Sequence, residues 1–256
     1  MAQHNDGLPA KVAQQILRRI LLRELLPGAV LPSERELQET YAVSRPVARE
    51  AIKLLAARGI VDVHPRQGAT IGMDLTAAAS DALLLAFHQE NVIKEDLLNA
   101  RMALEPWIVR LACEHLVVSL VRKLQQMILQ FEMLIALDDE LLNTTLSTLP
   151  TIDAEFHILL AEMSQNPVFK ILVDVLVGIL WSQTQFISPL DETPKMHAKY
   201  MRQAFRQHVA IAKAILAANA DLAAQAMTEH LVSTYKHITA GSGNILQQRV
   251  QITIPT

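Results

Sequence analysis

The sequence predicts a mainly α-helical protein: three helices and a β-hairpin at the N-terminus, then an all-helical bundle. Three observations predict it. Capped amphipathic segments and one pair of short β-rich runs fill residues 1–75. Beyond them apolar residues recur at helical spacing, and nothing reads as strand. The composition also suits long helices over a real core, with 51% hydrophobic residues and only 8 glycines in 256.

Residues 8–24, LPAKVAQQILRRILLRE, set Val12, Ile16 and Ile20 at helical spacing beside Arg18, Arg19 and Arg23, an amphipathic helix. LLPGAVLP follows as a Pro/Gly connector. In SERELQETY, Ser33 followed by Glu36 is a capping box, so a helix starts at Ser33. Ser44 is an N-cap for the next helix, with Pro46 in the first turn, where its missing N–H does little harm. GIVDVHPRQGATIG reads as two strands around a PRQG turn. Helix, helix, turn, helix, hairpin is the order of a winged helix-turn-helix.

Helical periods then cover roughly 77–89, 94–117, 120–142, 150–164, 167–188, 195–218 and 220–239. Breaks fall at Asn143–Thr145, at the NP of 166–167, at SPLDETP and at AANAD. The domains expected are therefore 1–75 and 76–240, with 241–256 a flexible tail.

Charge and cysteine usage narrow the class. Residues 1–75 hold ten Lys/Arg and eight Asp/Glu, a balance of +2; the remainder holds thirteen and eighteen, a balance of −5. One cysteine, Cys113, permits no intrachain disulfide, and the N-terminus lacks the regions of a signal peptide. The most apolar run, ILVDVLVGILW, is broken by Asp174 and is too short to span a bilayer. A cytoplasmic protein with no membrane association is expected.

On a helix over 44–58, Arg45, Arg49 and Lys53 spread over about 80° of surface. Val47, Ala48, Ala51, Leu54 and Leu55 gather opposite. On an isolated helix, such a line of charge is a solvated face. Behind a capped helix and a short turn it is a recognition helix, whose arginines can bridge guanine O6 and N7 or hold phosphate. Arg35 and Arg66 extend the positive surface, and Gly68 lets the hairpin turn approach a sugar–phosphate backbone.

The stretch PGAVLPSERELQETYAVSRPVAREAIKLLAARGIVDVHPRQGATI resembles the DNA-binding domain of the GntR superfamily of bacterial transcription regulators. The likeness runs through PG…LPSEREL, VSR, the Arg49–Glu50 pair, the step at Gly59 and the RQG wing. It implies contacts to double-stranded operator DNA from Arg35, Ser44, Arg45, Arg49 and the wing around Arg66–Gly68. Gln38 and Ala42 depart from the family pattern, and Ala42 strains the turn if its position needs positive φ.

A second constellation lies in the back half. Asp153 and His157 are i and i+4 on one helix face. His208 and His230 are each eleven residues from residue 219 in AANAD, so a helical hairpin there sets them level, about 16 Å from its turn. Facing the Asp–His pair, they would make a three-nitrogen, one-oxygen site for Zn²⁺ or another first-row divalent ion. Taken singly, a histidine in a helical domain is a surface or hydrogen-bonded residue, and His88, His115, His197 and His237 read that way. Metal affinity is expected to fall below about pH 6, because the donors must be unprotonated.

From about 80 to 240 the chain resembles the all-helical FCD effector domain of the FadR-like branch, through RMALEP, DAEFH, SQNPVF, the QH at 207–208 and MTEH. The resemblance implies a metal at Asp153, His157, His208 and His230 and a small organic acid beside it, with Arg101 a candidate for its carboxylate. The effector would be a hydroxy acid, a dicarboxylate or a sugar acid. The alternative for Arg101 is an i,i+4 salt bridge with Glu105, and both can hold. Trp181 and Gln185 are candidate pocket residues, with a core role the alternative for Trp181. The expectation is a homodimeric, metabolite-responsive repressor and not an enzyme. Two alternatives are a metal-dependent hydrolase with a DNA-binding appendage and a regulator whose metal is purely structural.

Overall fold

The computed structural model describes residues 7–64, 68–72, 76–144, 149–182 and 193–240. Arg66, Gln185 and the 241–256 tail lie outside the described residues. The chain forms two compact units, Met1–Asp81 and Ala82–Thr256.

In the first unit, α1 (Leu8–Leu21), α2 (Glu34–Tyr41) and α3 (Arg45–Ala57) precede β1 (Val61–His64) and β2 (Gly68–Ile71). The start of α2 follows from its sequence. Ser33 Oγ accepts from the Glu36 backbone N–H at 3.3 Å, and the Glu36 carboxylate takes the Ser33 N–H at 2.8 Å. The apolar faces meet over Val12, Ile16, Leu31, Leu37, Ala48, Ala51, Leu55, Val61 and Ile71, all buried. The strands pair antiparallel, Val61 opposite Ile71 and His64 opposite Gly68. The Pro/Gly connector does more than connect. Val30 bridges Thr70, and the Leu31 N–H donates to the Ala69 carbonyl at 2.7 Å, adding a third short segment to the hairpin.

The turn between α2 and α3 runs through Ala42, at φ +50° and ψ +47°. The position does take a left-handed residue, and an alanine occupies it. Ser44 stands at the N-cap of α3, but its side chain makes no capping hydrogen bond.

The second unit contains α4 (Thr76–Gln89, whose first residues belong to unit one), α5 (Lys94–Glu114), α6 (Val118–Ala136), α7 (Asp139–Thr144), α8 (Leu149–Met163), α9 (Pro167–Ser182), α10 (Pro194–Leu216) and α11 (Ala220–Ala240). The single helix expected over 120–142 is two. The Asp138 carboxylate accepts the Leu141 N–H at 2.7 Å, starting a new helix after the break at 137–138. Helix α5 packs on α11 and α8, α10 packs on α11 and α6, and α8 packs on α9. Phe131 is the hub of the core, stacked on Phe205 at 5.3 Å and edge-on to Phe156 at 5.4 Å. The α10–α11 hairpin closes through Ala218 in the left-handed region and Asn219, whose Oδ1 accepts the Leu222 N–H at 3.0 Å. No described helix is long and apolar enough to cross a membrane.

Candidate nucleic-acid interface and metal centre

Helix α3 buries Ala48, Ala51 and Leu55 and exposes Arg45, Arg49 and Lys53. The apolar side is fixed against α1 and α2, so the basic side faces solvent. Arg35 on α2 is exposed and pairs with Glu39 at 3.2 Å, while Lys53 pairs with Glu50 at 3.4 Å. Gly68 opens β2 at φ +92°, a conformation that a side chain would strain. One acid joins the basic set: Glu34, the first residue of α2. Its Oε2 accepts from Arg45 Nε at 2.8 Å, and its Oε1 accepts from Arg49 Nε at 2.7 Å. Arg49 and then Arg45 draw the Glu34 carboxyl down to about 2.

In the second unit the α10–α11 hairpin brings His208 and His230 level, their Nε2 atoms 3.2 Å apart. Helix α8 presents Asp153 and His157 to them. Asp153 Oδ1 lies 3.3 Å from His208 Nε2 and 3.9 Å from His157 Nε2. One donor atom from each of the four residues falls within 4.8 Å of the others, and all four residues are buried. A cluster of this donor set can hold a metal ion. Burial, followed by the charges of neighbouring imidazoles and Arg101, drives His208 and His230 well below the ordinary histidine range. Both rings are therefore neutral, the form that ligates a cation.

Further side chains orient these donors. Glu105 Oε2 lies 2.5 Å from His157 Nδ1, which leaves His157 Nε2 for the cluster. That Nε2 is buried and has no hydrogen-bond partner. Trp181 Nε1 donates to Asp153 Oδ2 at 3.0 Å, and His230 Nδ1 lies 3.3 Å from Gln207 Oε1. Arg101 Nε donates to Glu105 Oε1 at 2.5 Å, while its Nη2 is buried without a partner. The i,i+4 salt bridge and a position beside the cluster both hold for Arg101. Burial pushes the Glu105 carboxyl up, but Arg101 and His157 outweigh it and hold it well below the usual carboxylate range. A narrow cavity adjoins the cluster, lined by Arg101, Asp153, Trp181, Tyr200, His230 and Thr234 among others.

Sequence reasoning missed Glu105 as the partner of His157, Trp181 as a donor to Asp153, and Glu34 as the bridge between the arginines. The i,i+4 spacing gave Arg101–Glu105, but the Glu105–His157 pair spans 52 residues and has no local signal. Glu155 and Glu229, which neighbour the cluster in sequence, are exposed, and Glu229 pairs with Gln225 at 2.8 Å.

A winged helix-turn-helix with an exposed basic helix, joined to an all-helical domain, defines a DNA-binding transcription regulator. Residues 8–71 match the model of the bacterial regulatory proteins of the gntR family, and residues 96–233 match the FCD domain. The chain belongs to the GntR family, in its FCD-bearing form. It is 30% identical over 170 residues to the uncharacterized HTH-type transcriptional regulator YcbG of Bacillus subtilis (strain 168), covering 66% of this chain and 67% of that protein. It is 28% identical over 236 residues to the HTH-type transcriptional repressor NanR of Edwardsiella tarda, covering 89% and 84%. Among solved structures, Streptococcus agalactiae GntR superposes with a TM-score of 0.69 at 25% identity, over 89% of this chain and 99% of that one. These relatives are regulators and not enzymes.

Proposed function

We propose that this regulator is a homodimeric repressor whose operator binding is tuned by a small carboxylate held beside a divalent metal. Arg35, Ser44, Arg45, Arg49, Lys53 and the hairpin around Arg66–Gly68 meet the duplex, and two copies of α3 read two half-sites. Asp153, His157, His208 and His230 hold the metal, Zn²⁺ foremost, and Arg101 takes the effector's carboxylate. The observation that carries the metal is the buried, unpartnered His157 Nε2 aimed among neutral imidazoles and a carboxylate. An orphaned buried polar atom is costly without a partner, and a cation supplies one. The buried, unpartnered Nη2 of Arg101 makes the same case for a carboxylate. Such a metal would give the carboxylate a second anchor.

The competing reading, a purely structural metal, draws on the tightness of the cavity. About 10 Å³ is open to the centre of a water molecule, room for roughly one. A cavity of that size takes an organic acid only if side chains of its lining move. Calorimetry of the chelated protein with ZnCl₂, then of the loaded protein with a panel of hydroxy acids, dicarboxylates and sugar acids, decides. Zinc binding followed by acid binding that chelation abolishes supports the effector site. Zinc binding without acid binding supports the structural metal, and absence of zinc binding overturns both.

A further inference from the structure

Arg45 is the first residue of α3, where the helix dipole disfavours a cation, and Glu34 supplies the compensating anion from the start of α2. The geometry with Arg49 is side-on. Nε donates to Oε1 at 2.7 Å and Nη2 to Oε2 at 3.1 Å, so the end-on edge formed by Nη1 and the second Nη2 hydrogen stays unspent. Arg45 uses only Nε, at 2.8 Å, and keeps both terminal nitrogens. Both guanidiniums remain more than half exposed, at 68% and 55%, whereas the Glu34 side chain is 26% exposed and sits beneath them. Exposed ion pairs contribute little to stability, so a two-armed bridge here does not earn its place by holding the fold.

We propose that Glu34 is a specificity-determining positioning residue. It fixes the two recognition-helix arginines with their end-on edges outward, the edge that can bridge guanine O6 and N7, and it cancels one of their two charges. The first effect favours base reading, and the second weakens attraction to phosphate of any sequence. The inference rests on the reading that Arg45 and Arg49 meet DNA, and the experiment separates the two.

The full-length protein is used to select a preferred duplex from a random-sequence library. Affinity for that duplex and for a shuffled duplex of equal length is then measured from 0.05 to 0.3 M salt for wild type, Glu34→Gln, Glu34→Ala, Glu34→Asp and Arg49→Ala, each checked by thermal melting. For Glu34→Gln and Glu34→Ala, shuffled-duplex affinity should rise several-fold and the selected-to-shuffled ratio should fall about tenfold. The log–log salt slope on shuffled DNA should steepen by about 0.9, one more phosphate neutralised. Glu34→Asp, which keeps the charge, should retain more of the ratio than either. If one neutral variant fails to fold, the other is decisive. Equal changes on both duplexes, or a ratio that rises, overturn the role of Glu34. Wild-type affinity of Arg49→Ala for the selected duplex, or failure of the library to yield any preferred sequence, overturns instead the reading on which it rests.

Discussion

Replacing Glu105 by Gln removes one charge from a buried chain of three groups, Arg101–Glu105–His157. Arg101 and Glu105 are 1% and 2% exposed, and each contact to Glu105 is 2.5 Å. A glutamine can accept at one end only, and it carries no charge to offset the guanidinium. Breaking a buried ion pair from one side costs about 3–5 kcal/mol, because the surviving charge stays desolvated and unpaired. For a unit of this size, each kcal/mol moves the midpoint by about 2–4 °C, so melting of the helical unit should fall by about 10 °C. A second loss is separable. His157 loses the acceptor that orients it, and such partners affect metal affinity about 10–100-fold. The double variant Arg101→Met/Glu105→Leu tells the effects apart. With no charge left unpaired, stability should largely return, whereas zinc affinity should stay low. The assay is differential scanning calorimetry with chelator, then zinc titration against a competing indicator. A Glu105→Gln protein that melts with wild type, or a double variant that binds zinc as tightly as wild type, would refute the reasoning.

Two further outcomes follow from the local geometry. Ala42→Gly relieves a left-handed alanine at φ +50°, a strain of about 1–2 kcal/mol offset by about 0.5–1 kcal/mol of extra unfolded-state entropy. The DNA-binding unit should melt about 4 °C higher, and a lower midpoint would show the turn to be unstrained. The second concerns pH. His208 and His230 have folded-state pKa values well below 6.5, so the unfolded chain binds more protons below that value. Stability of the metal-free protein is full above about 6.5 and is lost as pH falls through and below it. A flat melting midpoint between pH 7.5 and 5.5 in chelator would count against the buried neutral imidazoles. Zinc affinity of the folded protein should hold to lower pH than the threshold near 6 that the sequence suggests, since two of its three imidazoles are already unprotonated there.

The legible parts of this protein are those whose cause is local. The capping box at Ser33, the buried and exposed sides of α3, and the mirrored positions of His208 and His230 about residue 219 all depend on spacing within one or two elements. Spacing shows which residues share a face. It does not show what that face meets. Val30 pairs with Thr70 across forty residues, and Glu105 meets His157 across the α5–α8 packing; neither leaves a trace in its own window. Helix termination leaves an equally weak local signal. The run from 120 to 142 stays apolar at the right period, and only Asp138, which prefers a capping role to a place mid-helix, marks the division. Ser44 errs the other way. Its residue type and position suit a cap, yet the hydroxyl makes no capping bond and is left for another acceptor or donor.

Two glutamates do similar geometric work in very different surroundings. Glu34 joins Arg45 and Arg49, and Glu105 joins Arg101 and His157, each with both carboxylate oxygens engaged. Their energetic meanings diverge because water reaches one and not the other. The Glu34 bridge is screened and competes with solvent, so it contributes little to folding, and it leaves the end-on edges of its arginines for another acceptor such as a guanine edge. The Glu105 bridge sits where the alternative to pairing is an isolated buried charge, so loss of one partner alone is strongly destabilising. Ionic strength separates them, since exposed charges are screened beyond about 8–10 Å at physiological salt while buried pairs barely respond. Raising salt should shrink the gain of Glu34→Gln in shuffled-duplex affinity, which acts through charge on the phosphates, and leave the stability loss of Glu105→Gln nearly unchanged. If both effects faded together, the difference in burial would not govern their roles.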